Sequence, residues 1–204
     1  MTDSIEAFIL AGGASSRMGT DKSRLLLDGQ SFIHRIATKL SAVMPLVTIV
    51  GHLPDDAGLI FPSTPDVYKE WGALGGVHAA LSACRSEWAV IVACDLPFVT
   101  AELFNRLAGL RDDFEAVAPV QNDGRRQPLC AFYRTAPSLV SAEALIKTGE
   151  RKPVALLQSL HTRWVPFAAL ADLAGAADFF DNINTPQDFA RVTQKGELDK
   201  NRAE

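Results

Sequence analysis

Residues 7–22 read Ala-Phe-Ile-Leu-Ala-Gly-Gly-Ala-Ser-Ser-Arg-Met-Gly-Thr-Asp-Lys. The apolar run Ala7–Leu10 has the length and composition of a strand covered on both faces. It leads into Gly12 and Gly13, where the lack of a Cβ lets backbone amides approach a phosphate closely. Ser15 and Ser16 add hydroxyl donors, Arg17 a planar fork and Lys22 a compact point charge. The segment is not a P-loop, which needs Lys directly after its second glycine, and it lacks the Gly-x-Gly-x-x-Gly dinucleotide fingerprint. A strand end that gathers flexible backbone, donors and two cations suits a triphosphate. The competing reading is a glycine turn with solvated charges.

Working outward, further short apolar runs read as buried strands: Leu46–Val50, Trp88–Ala93, Ala116–Val120 and Leu129–Tyr133. Helix-like stretches lie between them. Ser31–Val43 places Phe32, Ile33, Ile36, Leu40 and Val43 on one stripe, with Ser31 as N-cap. Leu74–Cys84, Ala101–Leu110, Pro137–Ile146 and Pro153–Leu160 follow the same pattern. Thr185 and Pro186 read as the N-cap and first turn of a last helix reaching about Val192. Strands alternating with helices imply an α/β fold of three layers, α/β/α, around a mainly parallel sheet. Ligands of such sheets sit beyond the carboxyl ends of the strands.

The 204 residues are 48% apolar, enough for a full core and against wholesale disorder. That length fits one domain, expected over residues 1–194, with a polar tail at 195–204. Twenty basic against 24 acidic side chains leave a net charge of −4, so binding nucleic acid by bulk charge is disfavoured. No apolar run approaches the roughly 20 residues that span a bilayer, and the first residues carry no basic signal region. Cys84, Cys94 and Cys130 make an odd count without Cys-x-x-Cys spacing, which favours reduced thiols and a cytoplasmic location. The four histidines form no metal-binding pattern, so a transition-metal site is not expected.

Other stretches carry candidate chemistry. Asp66 precedes Glu70-Trp71-Gly72-Ala73-Leu74-Gly75-Gly76, where three glycines would let backbone press against a flat group such as a purine. Asp95 ends the run Trp88–Ala93, where parallel strands present functional groups, and a carboxylate oxygen there suits Mg²⁺. An Asp-x-Pro turn or a helix N-cap is the structural alternative. Asp123-Gly124-Arg125-Arg126-Gln127-Pro128-Leu129 forms a tight turn into a strand. Its arginines either meet an anionic acceptor or are exposed turn charges. Asn182 and Asn184 point the same way on an extended segment, and both donate and accept hydrogen bonds. That suits a polar heterocycle, whereas a helix cap would explain Asn184 or Thr185 alone.

The run Leu10-Ala11-Gly12-Gly13-Ala14-Ser15-Ser16-Arg17-Met18-Gly19-x-Asp21-Lys22 resembles the signature of the molybdenum cofactor guanylyltransferase (MobA-like) nucleotidyltransferase family. The likeness extends through Gly72–Gly76, Cys94–Pro97, Gly124–Leu129, Gly149-Glu150-Arg151-Lys152 and Asp181–Pro186, covering about residues 7–192. It implies a Rossmann-like fold of the nucleotide-diphospho-sugar transferase type and transfer of GMP from GTP to the terminal phosphate of molybdopterin, releasing pyrophosphate. It also implies GTP binding by Leu10, Ala11, Gly12, Gly13, Lys22, Asp66, Gly72, Leu74 and Asp95, with Mg²⁺ on Asp95. Arg17, Lys22 and Asp95 are the implied catalytic residues. Arg125, Arg151, Lys152, Asn182 and Asn184 are the implied acceptor-binding residues. Proteins of molybdenum insertion or molybdoenzyme maturation are the implied protein partners.

Two positions depart from the family pattern. Ala73 stands where proline is usual, and Gly51, followed by His52, stands where family members can place an asparagine. Rival readings are a cytidylyltransferase for the same acceptor, another nucleotidyltransferase of the fold, and a non-catalytic GTP-binding module that delivers cofactor. A cytidylyltransferase would be expected to carry Leu-Ala-Ala-Gly at the first turn, and Gly12 with Gly72–Gly76 favours guanine.

Overall fold

The computed structural model describes residues 5–11, 26–27, 29–51, 61–68, 71–183 and 187–189. Its centre is a seven-stranded sheet in the order β5-β4-β1-β6-β8-β7-β9. In chain order the strands are β1 (Ile5–Leu10), β4 (Val47–Val50), β5 (Ser63–Thr64), β6 (Trp88–Ala93), β7 (Ala116–Val120), β8 (Cys130–Arg134) and β9 (Thr162–Pro166); β2 (Leu26–Leu27) and β3 (Gln30–Ser31) pair as a separate small ribbon. All neighbours in the main sheet run parallel except β8, which is antiparallel to both β6 and β7. The expectation of a mainly parallel sheet therefore holds, with one reversal.

Two-residue periodicity divides the sheet's side chains between two cores. On β6, Trp88, Val90 and Val92 face α1 (Phe32–Ser41) and α3 (Ala101–Ala108). Ala89 and Ile91 face α2 (Gly72–Ala83), α4 (Thr135–Lys147) and α5 (Pro153–Ser159). Three layers result. The caps follow from side-chain chemistry: the Ser31 hydroxyl accepts the His34 N–H at 3.3 Å, and the Thr100 hydroxyl accepts the Leu103 N–H at 3.2 Å. Thr100, not Asp95, thus caps α3. Pro153 occupies the first turn of α5, where its missing N–H costs nothing.

Helices α2 and α4 begin two residues earlier than the periodicity predicts. β2, β3, β5 and β9 were not expected from the sequence. The cap at Thr185 and Pro186 and the tail 195–204 lie outside the described residues; residues 187–189 are helical. Among the described residues, no helix is long and apolar enough to cross a membrane.

Candidate active site at the carboxyl edge of the sheet

The parallel strands β1, β4, β5 and β6 end side by side, and backbone bonds lock their exits together. The Ala11 N–H donates to the Val50 carbonyl at 2.9 Å, the Gly51 N–H to Thr64 at 2.9 Å, and the Cys94 N–H to Leu10 at 3.2 Å. Leu10 therefore stands beside Cys94, with Asp95 the next residue along. Gly12, Gly13, Arg17 and Lys22 fall outside the described residues.

Asp95 lies two positions beyond Ala93, the last residue of β6. Its Oδ2 accepts from Asn182 Nδ2 at 3.2 Å, its carbonyl accepts the Ile183 N–H at 3.2 Å, and its Oδ1 is shielded from solvent. Asp95 and Asn182, 87 positions apart, thus form one polar unit. Asn184 lies outside the described residues. Among the described residues, no three His, Cys, Asp or Glu side chains gather as a metal cage. A carboxylate such as Asp95 together with phosphate oxygens is how Mg²⁺ is usually held with nucleotides.

The start of α2 lies beside this edge. Gly72 has φ +68°, a left-handed conformation that strains any residue with a Cβ. Gly75 and Gly76 are small for a different reason from the one expected. A Cβ on Gly75 would lie 3.0 Å from Trp71 Cβ and 3.1 Å from the Tyr68 carbonyl oxygen, and one on Gly76 would lie 3.3 Å from Leu10 Cδ1. These two glycines admit the protein's own chain. Leu74 is fully buried in the core beneath them. Asp66 makes an Asx turn, its Oδ1 accepting the Tyr68 N–H at 3.1 Å. Burial pushes its carboxyl above the ordinary range, opposed by that N–H and by the charge of nearby His78.

The remaining predicted residues sit on two turns. Arg125 donates through Nε to Asp123 Oδ2 at 2.6 Å, while the Asp123 Oδ1 accepts the Arg125 N–H at 3.0 Å. These bonds hold the Asp123 carboxyl below its usual range. Arg126 lies over the Trp164 ring, 4.5 Å from its centre. In the second turn Glu150 Oε1 accepts the backbone N–H groups of Lys152 and Arg151, at 2.9 and 2.8 Å, which lowers its pKa. That turn reaches the start of α2: Trp71 Nε1 donates to the Glu150 carbonyl at 2.9 Å, and the Arg151 guanidinium lies 4.9 Å from the Trp71 ring centre. The structure brings Arg151 against Trp71 at the start of α2, whereas Arg125 bonds to Asp123 within its own turn. The roles of Trp71 and Trp164 escape sequence reading. An aromatic beside a glycine turn is a signal, but its partner lies 79 positions away.

Strand exits that present a carboxylate beside glycine-rich backbone define an α/β nucleotide-binding protein of the sugar-nucleotide transferase type. Residues 7–164 match the model of the MobA-like NTP transferase domain, and the chain belongs to that family. A Vibrio atlanticus protein named molybdenum cofactor guanylyltransferase is 34% identical over 197 residues, 93% of this chain and 94% of its own length. The crystal structure of molybdopterin-guanine dinucleotide biosynthesis protein A from Archaeoglobus fulgidus superposes with TM-score 0.80 at 26% identity, covering 95% of this chain and 99% of that one. A 2-C-methyl-D-erythritol 4-phosphate cytidylyltransferase from Thermus thermophilus shares the fold, with TM-score 0.67 at 18% identity.

Proposed function

We propose that the chain transfers GMP from GTP to the terminal phosphate of molybdopterin, or of its molybdenum-loaded form, yielding the guanine dinucleotide cofactor and pyrophosphate. The observation that carries this reading is the Asp95–Asn182 unit at the exit of β6, within a chain similar over nearly its whole length to the Vibrio guanylyltransferase.

An acceptor phosphate oxygen attacks the α-phosphorus, and the bond to the bridging oxygen of the β-phosphate breaks. The nucleophile is already an anion, so no general base is required. Catalysis then rests on in-line positioning and on neutralising charge at the α-phosphate. Asp95 is suited to hold Mg²⁺, which when bound would neutralise phosphate charge. Asn182 fixes the Asp95 carboxylate, and Asn182 and Asn184 meet the acceptor in this reading. Gly12, Gly13, Arg17 and Lys22 hold the triphosphate in this reading, and Asp66, Gly72 and Leu74 shape the base site. Arg125, Arg151 and Lys152 meet the acceptor's charge.

The test is pyrophosphate release with Mg²⁺ and molybdopterin, comparing GTP, CTP, ATP and UTP. The expected result is GTP-selective release that requires the acceptor, reduced ~10²–10³-fold in Asp95→Ala. Preference for CTP would overturn the base assignment. Tight GTP binding without release would make the chain a delivery module, and near-normal turnover of Asp95→Ala would refute the role of Asp95.

A further inference from the structure

We propose that Trp71 is a positioning residue that ties the nucleotide-side loop to the 149–152 turn and presets Arg151 for the acceptor's phosphate. The proposal rests on the acceptor role given to Arg151 above.

A chain of short-range bonds leads from one substrate side to the other. Asp66 Oδ1 accepts the Tyr68 N–H, the Tyr68 carbonyl accepts the Trp71 N–H at 3.1 Å, and the Trp71 indole N–H donates to the Glu150 carbonyl at 2.9 Å. Close packing fixes the base of this arm, since Gly75 leaves only 3.0 Å for a Cβ against Trp71 Cβ. At its tip the Trp71 ring carries the Arg151 guanidinium on its face. The neighbouring Glu150 carboxylate is turned to backbone N–H groups. Among the described residues, the Arg151 guanidinium has an aromatic face and no carboxylate, so its charge remains available to an anion.

This arrangement differs from a salt bridge in its consequence. A carboxylate partner would have to be displaced by an incoming phosphate, whereas a π-face holds the planar guanidinium while its N–H edge stays open. A free arginine samples many rotamers, and ordering it on the ring before the acceptor arrives removes part of the entropy cost of binding. Trp71 therefore acts on acceptor affinity through Arg151, without touching the reacting atoms.

The experiment compares Trp71→Ala, Trp71→Phe, Arg151→Ala and the double variant Trp71→Ala/Arg151→Ala. Losing the stack and the indole bond should raise the acceptor KM about tenfold, with the GTP KM and kcat within about twofold of wild type. Trp71→Phe, which keeps a ring but no donor, should fall between. In the Arg151→Ala background, Trp71→Ala should add less than about twofold. A second readout does not need activity. Trypsin cleaves after Arg151, whereas Lys152 is protected by Pro153, so loss of the tie should speed cleavage at Arg151 alone. Equal increases in both KM values, additive effects in the double variant, or an unchanged tryptic rate would each overturn the proposal. Wild-type protein that shows no acceptor-dependent release would instead remove the functional reading, and the tryptic comparison would still decide whether the tie exists.

Discussion

Gly75→Ala separates ordinary helix propensity from close packing at the nucleotide edge. Gly75 lies inside α2, where alanine is favoured over glycine by ~0.5–1 kcal/mol. The added Cβ, however, would stand 3.0 Å from Trp71 Cβ, 3.1 Å from the Tyr68 oxygen and 3.4 Å from Asp66 Oδ1. The first two neighbours are a Cβ and a backbone oxygen, neither the loose end of a side chain, so the chain before α2 must yield. Overpacking of this kind costs ~1–3 kcal/mol. The balance is a destabilisation of up to ~2.5 kcal/mol, or a fall of up to about 10 °C in Tm for a chain of this size. Gly109→Ala is the control. Gly109 has φ −72°, and its Cβ would meet the Asn105 and Arg106 oxygens at 3.6 and 3.7 Å, so alanine should stabilise by ~0.4–1 kcal/mol. Thermal unfolding of both variants, with GTP KM measured alongside, checks the reasoning. Gly75→Ala should also weaken GTP, because the displaced segment carries Asp66. A Gly75→Ala protein that melts above wild type, as Gly109→Ala should, with GTP KM unchanged, would refute it.

Two other expectations concern titration. The Asp66 carboxyl is raised by burial, so it favours folding at low pH and loses that contribution as pH rises through its folded value. Asp66→Asn keeps an oxygen for the Tyr68 N–H and removes the desolvated charge. It should therefore melt at or above wild type at pH 7, with the gap closing as acid enters the carboxylate range; a lower Tm at pH 7 would contradict this. Cys130 is fully buried on β8, and burial pushes its thiol up to about 12. Iodoacetamide at pH 8, followed by mass spectrometry, should label it only as the whole protein unfolds, and rapid native labelling would mean that β8 opens locally.

The strands flanking the nucleotide side were legible because burial on both faces leaves uninterrupted apolar runs, as in Ala7–Leu10 and Trp88–Ala93. The direction of β8 was not legible, since a strand covered on both faces has the same composition whichever way it runs. β5 is only Ser63–Thr64, too short to carry a period. β9 holds Thr162, Arg163 and Pro166, which an edge position tolerates and which hide it from an apolar scan. At the site, Asp95 was legible because it terminates an apolar run. Its bond to Asn182 and the reach of Trp71 to Glu150 depend on chain return over 87 and 79 positions, and no local pattern encodes that. The glycines in the first turns of α2 were legible as a tight spot but not as to what presses on them.

The reversal of β8 brings the β7–β8 turn to the exit of β6. In a sheet continued by a helical crossover, the strand after β7 would have to begin at the opposite edge. Because β8 runs back beside β6, its beginning meets the exit of β6: Val92 pairs with Cys130, and the Ala93 N–H donates to the Leu129 carbonyl at 2.9 Å. The β7–β8 turn, with Arg125 and Arg126, is thereby placed at the same edge as Asp95. The two arginines are held in different ways. Arg126 rests on Trp164, while Arg125 is paired with Asp123 in an exposed ion pair. Exposed pairs contribute little to stability, so an anion can draw Arg125 away from Asp123 at little cost. Under the function proposed above, the acceptor's charge would meet Arg126 and Arg151, each resting on an aromatic ring, and Arg125, held in a weak ion pair. The GTP would then meet the exits of β1, β4 and β6, which backbone bonds join. The single antiparallel strand β8 is what sets the Arg125–Arg126 turn beside those exits.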